Sequence, residues 1–322
     1  MVDYIQYRTT LLSDPDSSNQ DYLNRPMTDS LADLKEILPV PVEIELLDHE
    51  KKEKPGFQWI HGLGRIHRYS AYCFLGFLGI HATSVVLVPV LPIEPGIKQE
   101  VFEMARGIYH SLPQVENMVL GAGITHVVAG MLSRILRRRT KSQNKHKLQL
   151  LQQSPIITDP TRSDIGLGGI TSLLGLGFKK SWISLKIPGL SPLAFSGYVL
   201  IPFLLVHFTK FRWLPIFIDG DLSLINLDYI TYYLNHSPIR GGNVINIFNL
   251  IMLVWLTLYH VVSGMLTFNH KYSVNWKRFG YFVINTFSAI GLFAIWKYKA
   301  NTVDSTGFIA TTFKKYLSAF WF

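Results

Sequence analysis

Five stretches of this chain contain no Asp, Glu, Lys or Arg: residues 69–93, 117–133, 187–209, 241–270 and 279–296. A bilayer hydrocarbon core of about 30 Å is crossed by about 20 apolar helical residues, so four of the five fit at once. The second is shorter and becomes long enough if Arg134 snorkels its guanidinium to the surface. One soluble core has no use for five clean apolar runs, even at 48% hydrophobic residues. The runs predict an all-α membrane protein with five transmembrane helices.

The runs are duplicated. Residues 126–132 read HVVAGML and residues 260–266 read HVVSGML, while SAYCFLGFLGIH (70–81) aligns with SGYVLIPFLLVH (196–207). A proline follows eight residues after each histidine that ends the second motif, at Pro89 and Pro215. Each half is therefore a pair of helices. An even number of spans per half makes both halves enter from the same side, related by an axis along the membrane normal. Two parallel two-helix repeats plus one extra helix follow, with repeats at 60–136 and 187–270 and the fifth helix at 279–296.

Charge sets the flanks. Residues 1–54 hold 12 acidic and 6 basic residues, whereas the rest of the chain holds 10 and 25. The densest basic run, RILRRRTKSQNKHK (134–147), follows the second span and reads as a cytosolic loop under the positive-inside rule. That places the N-terminus in the cytosol and the tail, 297–322, on the far side. The linker, 137–186, is basic and then Gly-rich, and its second part reads as interfacial. The single cysteine, Cys73, leaves no disulfide within the chain. The opening MVDYIQYRTTLLSDPD has neither a secretory nor a presequence pattern, so targeting is expected to reside in the spans or in other factors.

Four histidines lie at membrane depth, one per repeat helix: His81, His126, His207 and His260. An ionisable residue there is costly and marks function by default. Parallel repeats bring equivalent positions to equal depth, so His126 should meet His260 and His81 should meet His207. Paired imidazoles suit the axial positions of haem b, and Gly130 and Gly264, one turn beyond two of them, would leave room for a flat ring. The competing account is helix packing, with histidine hydrogen-bonding across small-residue seams. No cofactor is required by that account. His61, His67, His110, His146, His236 and His270 read as solvated. No G-x-S-x-G, P-loop, G-x-G-x-x-G or H-E-x-x-H motif occurs, which argues against an enzyme.

The arm at 1–54 reads as an acidic, largely disordered segment with one ordered island, SLADLKEILPVPVEIELL (30–47). Leu34, Ile37 and Leu38 precede Pro39-Val40-Pro41, and Val42 and Ile44 alternate with glutamates at strand period. Proline favours extended geometry, so LPVPVEIE is pre-shaped for a groove, and Val42 and Ile44 could add as an edge strand.

The duplicated SxYxxxxFLxxH … HVVxGML domain, the basic loop and the P-x-P arm together resemble the fungal mitochondrial outer-membrane adaptor family. That resemblance implies a multi-pass protein whose arm recruits a bridge-like lipid transfer protein of the vacuolar-protein-sorting class to organelle contact sites. It implies partner contacts at Leu34, Ile37, Leu38, Pro39, Pro41, Val42 and Ile44. The C-terminus would then face the intermembrane space, and the bundle could help incoming lipid cross between leaflets, with Lys210, Arg212 and the basic loop as headgroup contacts. More distantly, one histidine on each of four helices resembles the di-haem cytochrome b subunits of succinate dehydrogenase and fumarate reductase. A transporter on parallel repeats is disfavoured because broken midplane helices and buried carboxylates are missing.

Overall fold

A computed structural model describes residues 55–110, 112–151, 167, 190–271 and 273–319. The chain divides into two units, Met1–Glu53 and Lys54–Phe322. The arm and its partner-contact residues Leu34 to Ile44 lie outside the described residues, as does most of the interfacial linker.

Everything regular among the described residues is helical. Helix α1 (Pro55–Ala82) runs through a π-helical turn (Thr83–Leu87) into a last α-helical turn at Val88–Val90. The amphipathic α2 (Pro95–His110) leads into α3 (Pro113–Leu151). The second half opens with α4 (Pro192–Phe208), where the Ser191 hydroxyl accepts from Ala194 N at 3.2 Å and Pro192 occupies the first turn. It too passes through a π turn, Thr209–Trp213, into Leu214–Asp219. After α5 (Leu227–Asn235) come α6 (Gly242–Phe268), α7 (Val274–Ala300) and α8 (Gly307–Ser318). Five of these helical rods are long and apolar enough to cross a membrane. Only 11–33% of each one's most apolar stretch is buried within the protein. So much outward apolar surface needs acyl chains around it.

Within each half the two spans pack on each other, α1 on α3 and α4 on α6, and α7 lies along α6. Helix α2 turns Phe102, Ala105 and Tyr109 inward and leaves Ile97, Met104 and Ile108 exposed at helical spacing. That is the pattern of a helix lying in the interface plane.

Two segments differ from the sequence reading. The basic run read as a loop continues α3 to Leu151, giving 39 residues, a rod of about 58 Å that outreaches the bilayer core. Lys and Arg are good helix formers, and repulsion among them is screened outside the membrane. The stretch read as a tail contains α8, which buries Phe313 and Tyr316 against Tyr229, Tyr232, Tyr233 and Tyr298. An aromatic core thus closes the end of the bundle opposite the basic rod.

The lysines at that end cap helix C-termini, whose carbonyls lack intrahelical donors. Lys98 and Lys297 both donate to Pro89 O, at 3.1 and 3.4 Å. Lys299 donates to Leu234 O at the end of α5, and buried Lys210 to Leu317 O at the end of α8.

Candidate functional site

Each π turn sits at the same place in its repeat, 126 residues apart, with its proline just beyond. Proline has no N–H and crowds the carbonyl four residues back, so a widened turn relieves the clash and frees carbonyls on the inner face. Tyrosines fill the vacancies. Tyr298 OH donates to Val85 O at 3.1 Å, and Tyr229 OH donates to Lys210 O at 2.9 Å. His81 and His207 stand two residues before these turns, each held at the seam between the halves.

The four intramembrane histidines meet as the duplication predicts. His126 and His260 have ring centres 6.1 Å apart with planes at 87°, and His81 and His207 are 5.9 Å apart at 69°. His126 Nδ1 bonds His67 O at 3.1 Å. A carbonyl only accepts, so Nδ1 carries the proton and, in the neutral ring, Nε2 keeps its lone pair. The second repeat copies this. His260 Nδ1 bonds Ser196 Oγ at 3.3 Å, whose own hydrogen goes to Leu193 O at 2.8 Å, and His260 also bonds the Leu193 main chain. Leu193 occupies the repeat position of His67. At the other pair, His81 Nδ1 and the Tyr109 hydroxyl lie 3.4 Å apart, and burial pushes the Tyr109 phenol up to about 12. His207 Nδ1 is buried with no hydrogen-bond partner among the described residues.

Glycines let these rings approach the backbone. A Cβ at Gly197 would lie 2.8 Å from His260 Cε1, and one at Gly130 would lie 2.9 Å from His67 Nε2. The notch at Gly130, read as space for a flat ring, is therefore filled by His67, which stacks on His126 at 4.1 Å and 17°. His67, read as solvated, instead turns its imidazole inward, while Arg65 and Arg68 on the same helix stay exposed. At Gly264 the notch is open, with no atom within 4 Å of an added Cβ.

A polar cluster joins the repeats near the closed end. Arg212 pairs with Glu116, and its Nη1 donates to His110 Nδ1 at 3.0 Å. Burial, reinforced by the Arg212 and Arg106 guanidiniums, holds His110 down at about 4. Arg106 Nη1 donates to Leu222 O at 2.9 Å and also to Ile225 O. A 280 Å³ cavity lies beside it, lined by Glu103, Arg106, Gly107, His110, Leu222 and Ser223. Lys210 and Arg212, expected as lipid headgroup contacts, are instead committed to Leu317 O and to Glu116 and His110. His110, read as solvated, belongs to this cluster; His236 is stacked on Tyr232 at 4.4 Å.

Sequence comparison agrees with the duplication. The family model described as MDM10-complementing protein 1, transmembrane domain, matches residues 76–183 and again residues 202–307. The two matches begin at equivalent points of the two repeats. The chain belongs to this family. Within it, the chain is 29% identical over 192 residues to the mitochondrial adapter protein MCP1 of Saccharomyces cerevisiae (strain ATCC 204508 / S288c). That alignment covers 59% of this chain and 58% of the yeast protein, so the chain spans little more than half of its relative's length. No solved structure matches. The resemblance to di-haem cytochrome subunits gains no support from these matches.

Proposed function

We propose that this protein is a non-enzymatic mitochondrial adaptor, anchored in the outer membrane by the duplicated bundle and holding its acidic arm in the cytosol. The family match across both repeats, together with the similarity to the yeast mitochondrial adapter protein, carries the reading. The arm recruits a bridge-like lipid transfer protein of the vacuolar-protein-sorting class through Leu34, Ile37, Leu38, Pro39, Pro41, Val42 and Ile44. A pre-extended proline pair limits the ordering cost of binding, and a short motif gives the reversible affinity a dissolving contact site needs. The helical rod of α3, with Arg134, Arg137, Arg138 and Arg139 beyond the last apolar turn, suits an anionic cytosolic leaflet.

Lipid delivered to one leaflet has to cross, so the bundle also supports scrambling. The support is that buried polar side chains occur within the spans, at Ser84, Ser133, Asn249 and Ser263. Replacing Pro39 and Pro41 by alanine is expected to abolish recruitment of the transfer protein in cells while the tagged adaptor stays on mitochondria. Undiminished recruitment would reject the motif. Reconstitution into vesicles carrying a quenchable outer-leaflet lipid tests scrambling separately.

A further inference from the structure

The geometry points to haem at the seam between the repeats, each iron held by one imidazole from either half: His126 with His260, and His81 with His207. This stands on the histidine pairs alone and is independent of the adaptor reading.

Spacing comes first. A first-row metal holds an imidazole nitrogen at about 2 Å, so two rings bound on opposite sides of one iron have centres about 6 Å apart. The two pairs stand at 6.1 and 5.9 Å. Edge-to-face ring packing falls in the same range, so the separation fits an iron and direct ring contact alike, and the choice between them rests on the ring nitrogens.

Ring direction is the second observation. Ligating histidines characteristically spend their other nitrogen on a carbonyl or a similar acceptor, which fixes the tautomer. Both members of the first pair do so, at His67 O and at Ser196 Oγ, leaving Nε2 for a metal. In the second pair His81 Nδ1 is engaged by Tyr109, and buried His207 Nδ1 has no partner among the described residues. A buried nitrogen without a partner among the described residues is a vacancy that an outside group can fill.

The number of ligands selects the class of metal group. Among the described residues no three His, Cys, Asp or Glu side chains converge on one point. His67 stacks flat against His126 rather than converging with it. A bare zinc ion would want four ligands, whereas an iron that brings its own four equatorial nitrogens wants only two axial ones. An added Cβ at Gly264 would meet no atom within 4 Å, whereas at Gly130 it would meet His67. When bound, haem supplies a reversible one-electron couple.

The test is a visible spectrum, a pyridine haemochrome assay and metal analysis on the full-length protein, purified in detergent from haem-replete cells and titrated with haemin. The expected result is a Soret band with about two haems per chain. The first pair's near-perpendicular rings should give a strongly anisotropic low-spin ferric resonance. His126→Ala or His260→Ala is expected to remove half of the haem, and His81→Ala or His207→Ala the other half. Gly264→Leu, which touches no ligand, should lower the first half alone. Free imidazole should restore the band to His260→Gly. A wild-type protein that stays colourless through the haemin titration overturns the proposal, whatever the variants do. So does copper in place of iron, or a Soret band equally strong when all four histidines are replaced.

Discussion

The hydroxyl of Tyr298 on α7 donates to the carbonyl oxygen of Val85, the acceptor left without a helical partner by Pro89. Tyr229 does the same for Lys210 O in the second repeat. Each bond pins a widened turn next to one of the paired histidines, and through Tyr298 the fifth helix holds the turn of the first repeat. Removing either hydroxyl leaves a buried carbonyl unpaired, which costs about 1–3 kcal/mol. Tyr298→Phe and Tyr229→Phe should therefore lower the unfolding midpoint in detergent. The 69% exposed Tyr69 changed to Phe should not. Melting curves that match the Tyr69→Phe control would show that the bonds contribute nothing.

Gly197 is fixed by contact rather than by backbone conformation. An alanine methyl there would stand 2.8 Å from the His260 ring, so the ring or α4 must shift. Overpacking of this kind costs about 1–3 kcal/mol. Alanine at Gly264, where nothing lies within 4 Å, should gain a little through helix propensity. Paired thermal melts of the two alanine variants give the comparison, and equal melting temperatures would contradict the described approach of His260.

These residues also show what could be read from the sequence. The spans were legible because lipid forbids charge over about 20 residues, and the histidine pairing followed because parallel repeats equalise depth. The π turns were half legible: Pro89 and Pro215 marked a break, but nothing local says whether proline kinks, ends or widens a helix. The reach of α3 was hidden because the positive-inside rule locates Arg and Lys without stating their secondary structure. Helix α8 was hidden because Lys314 and Lys315 make its 12 residues look solvent-bound, and its apolar face has meaning only against Tyr229 and Tyr233. Lys297 and Lys299, which follow the fifth span, donate to carbonyls at helix ends. Their charge answers local carbonyls rather than topology.

His110 provides a pH signature. In the unfolded chain a histidine titrates near 6.5, whereas burial and the facing Arg212 and Arg106 hold it at about 4 in the fold, with the Glu116 carboxylate and Tyr109 completing its surroundings. Between those values the unfolded chain binds a proton that the folded chain does not. Stability is therefore full above pH 6.5 and falls as pH drops from 6.5 towards 4. His110→Gln should make that part of the stability profile shallower, measured by chemical unfolding across the window. A slope identical to wild type would assign the acid sensitivity elsewhere.

Arg212 and Glu116 tie the second repeat to the first. Their side chains are only 18% and 20% exposed, so removing one partner strands a charge in a poorly hydrated place. Arg212→Met and Glu116→Leu should each destabilise, and the double variant should be less damaged than the two single losses together. Coupling between contacting residues of this kind is about 0.5–3 kcal/mol. A double-mutant cycle on unfolding free energy measures it, and additive losses would mean the pair is not energetically joined.

The strongest test of the closed end lies in α8. Phe313 and Tyr316 are 0% and 1% exposed, and Tyr229, Tyr233 and Leu234 beneath them are equally dry. Truncating a fully buried aromatic costs about 3–5 kcal/mol through lost transfer energy and the cavity left behind. Phe313→Ala should therefore destabilise the whole bundle. Lys210→Met retains most of the apolar stem but gives up the donor to Leu317 O, and should cost less, about 1–3 kcal/mol. Tyr229 serves both α8 and the second π turn, so loss of α8 should also loosen the turn that carries His207. Amide hydrogen exchange can read this directly, with faster exchange expected across 205–217 and 227–235 in Phe313→Ala. Exchange accelerated only within 307–318 would make α8 an independent appendage, and the aromatic core would then have no part in holding the histidine seam.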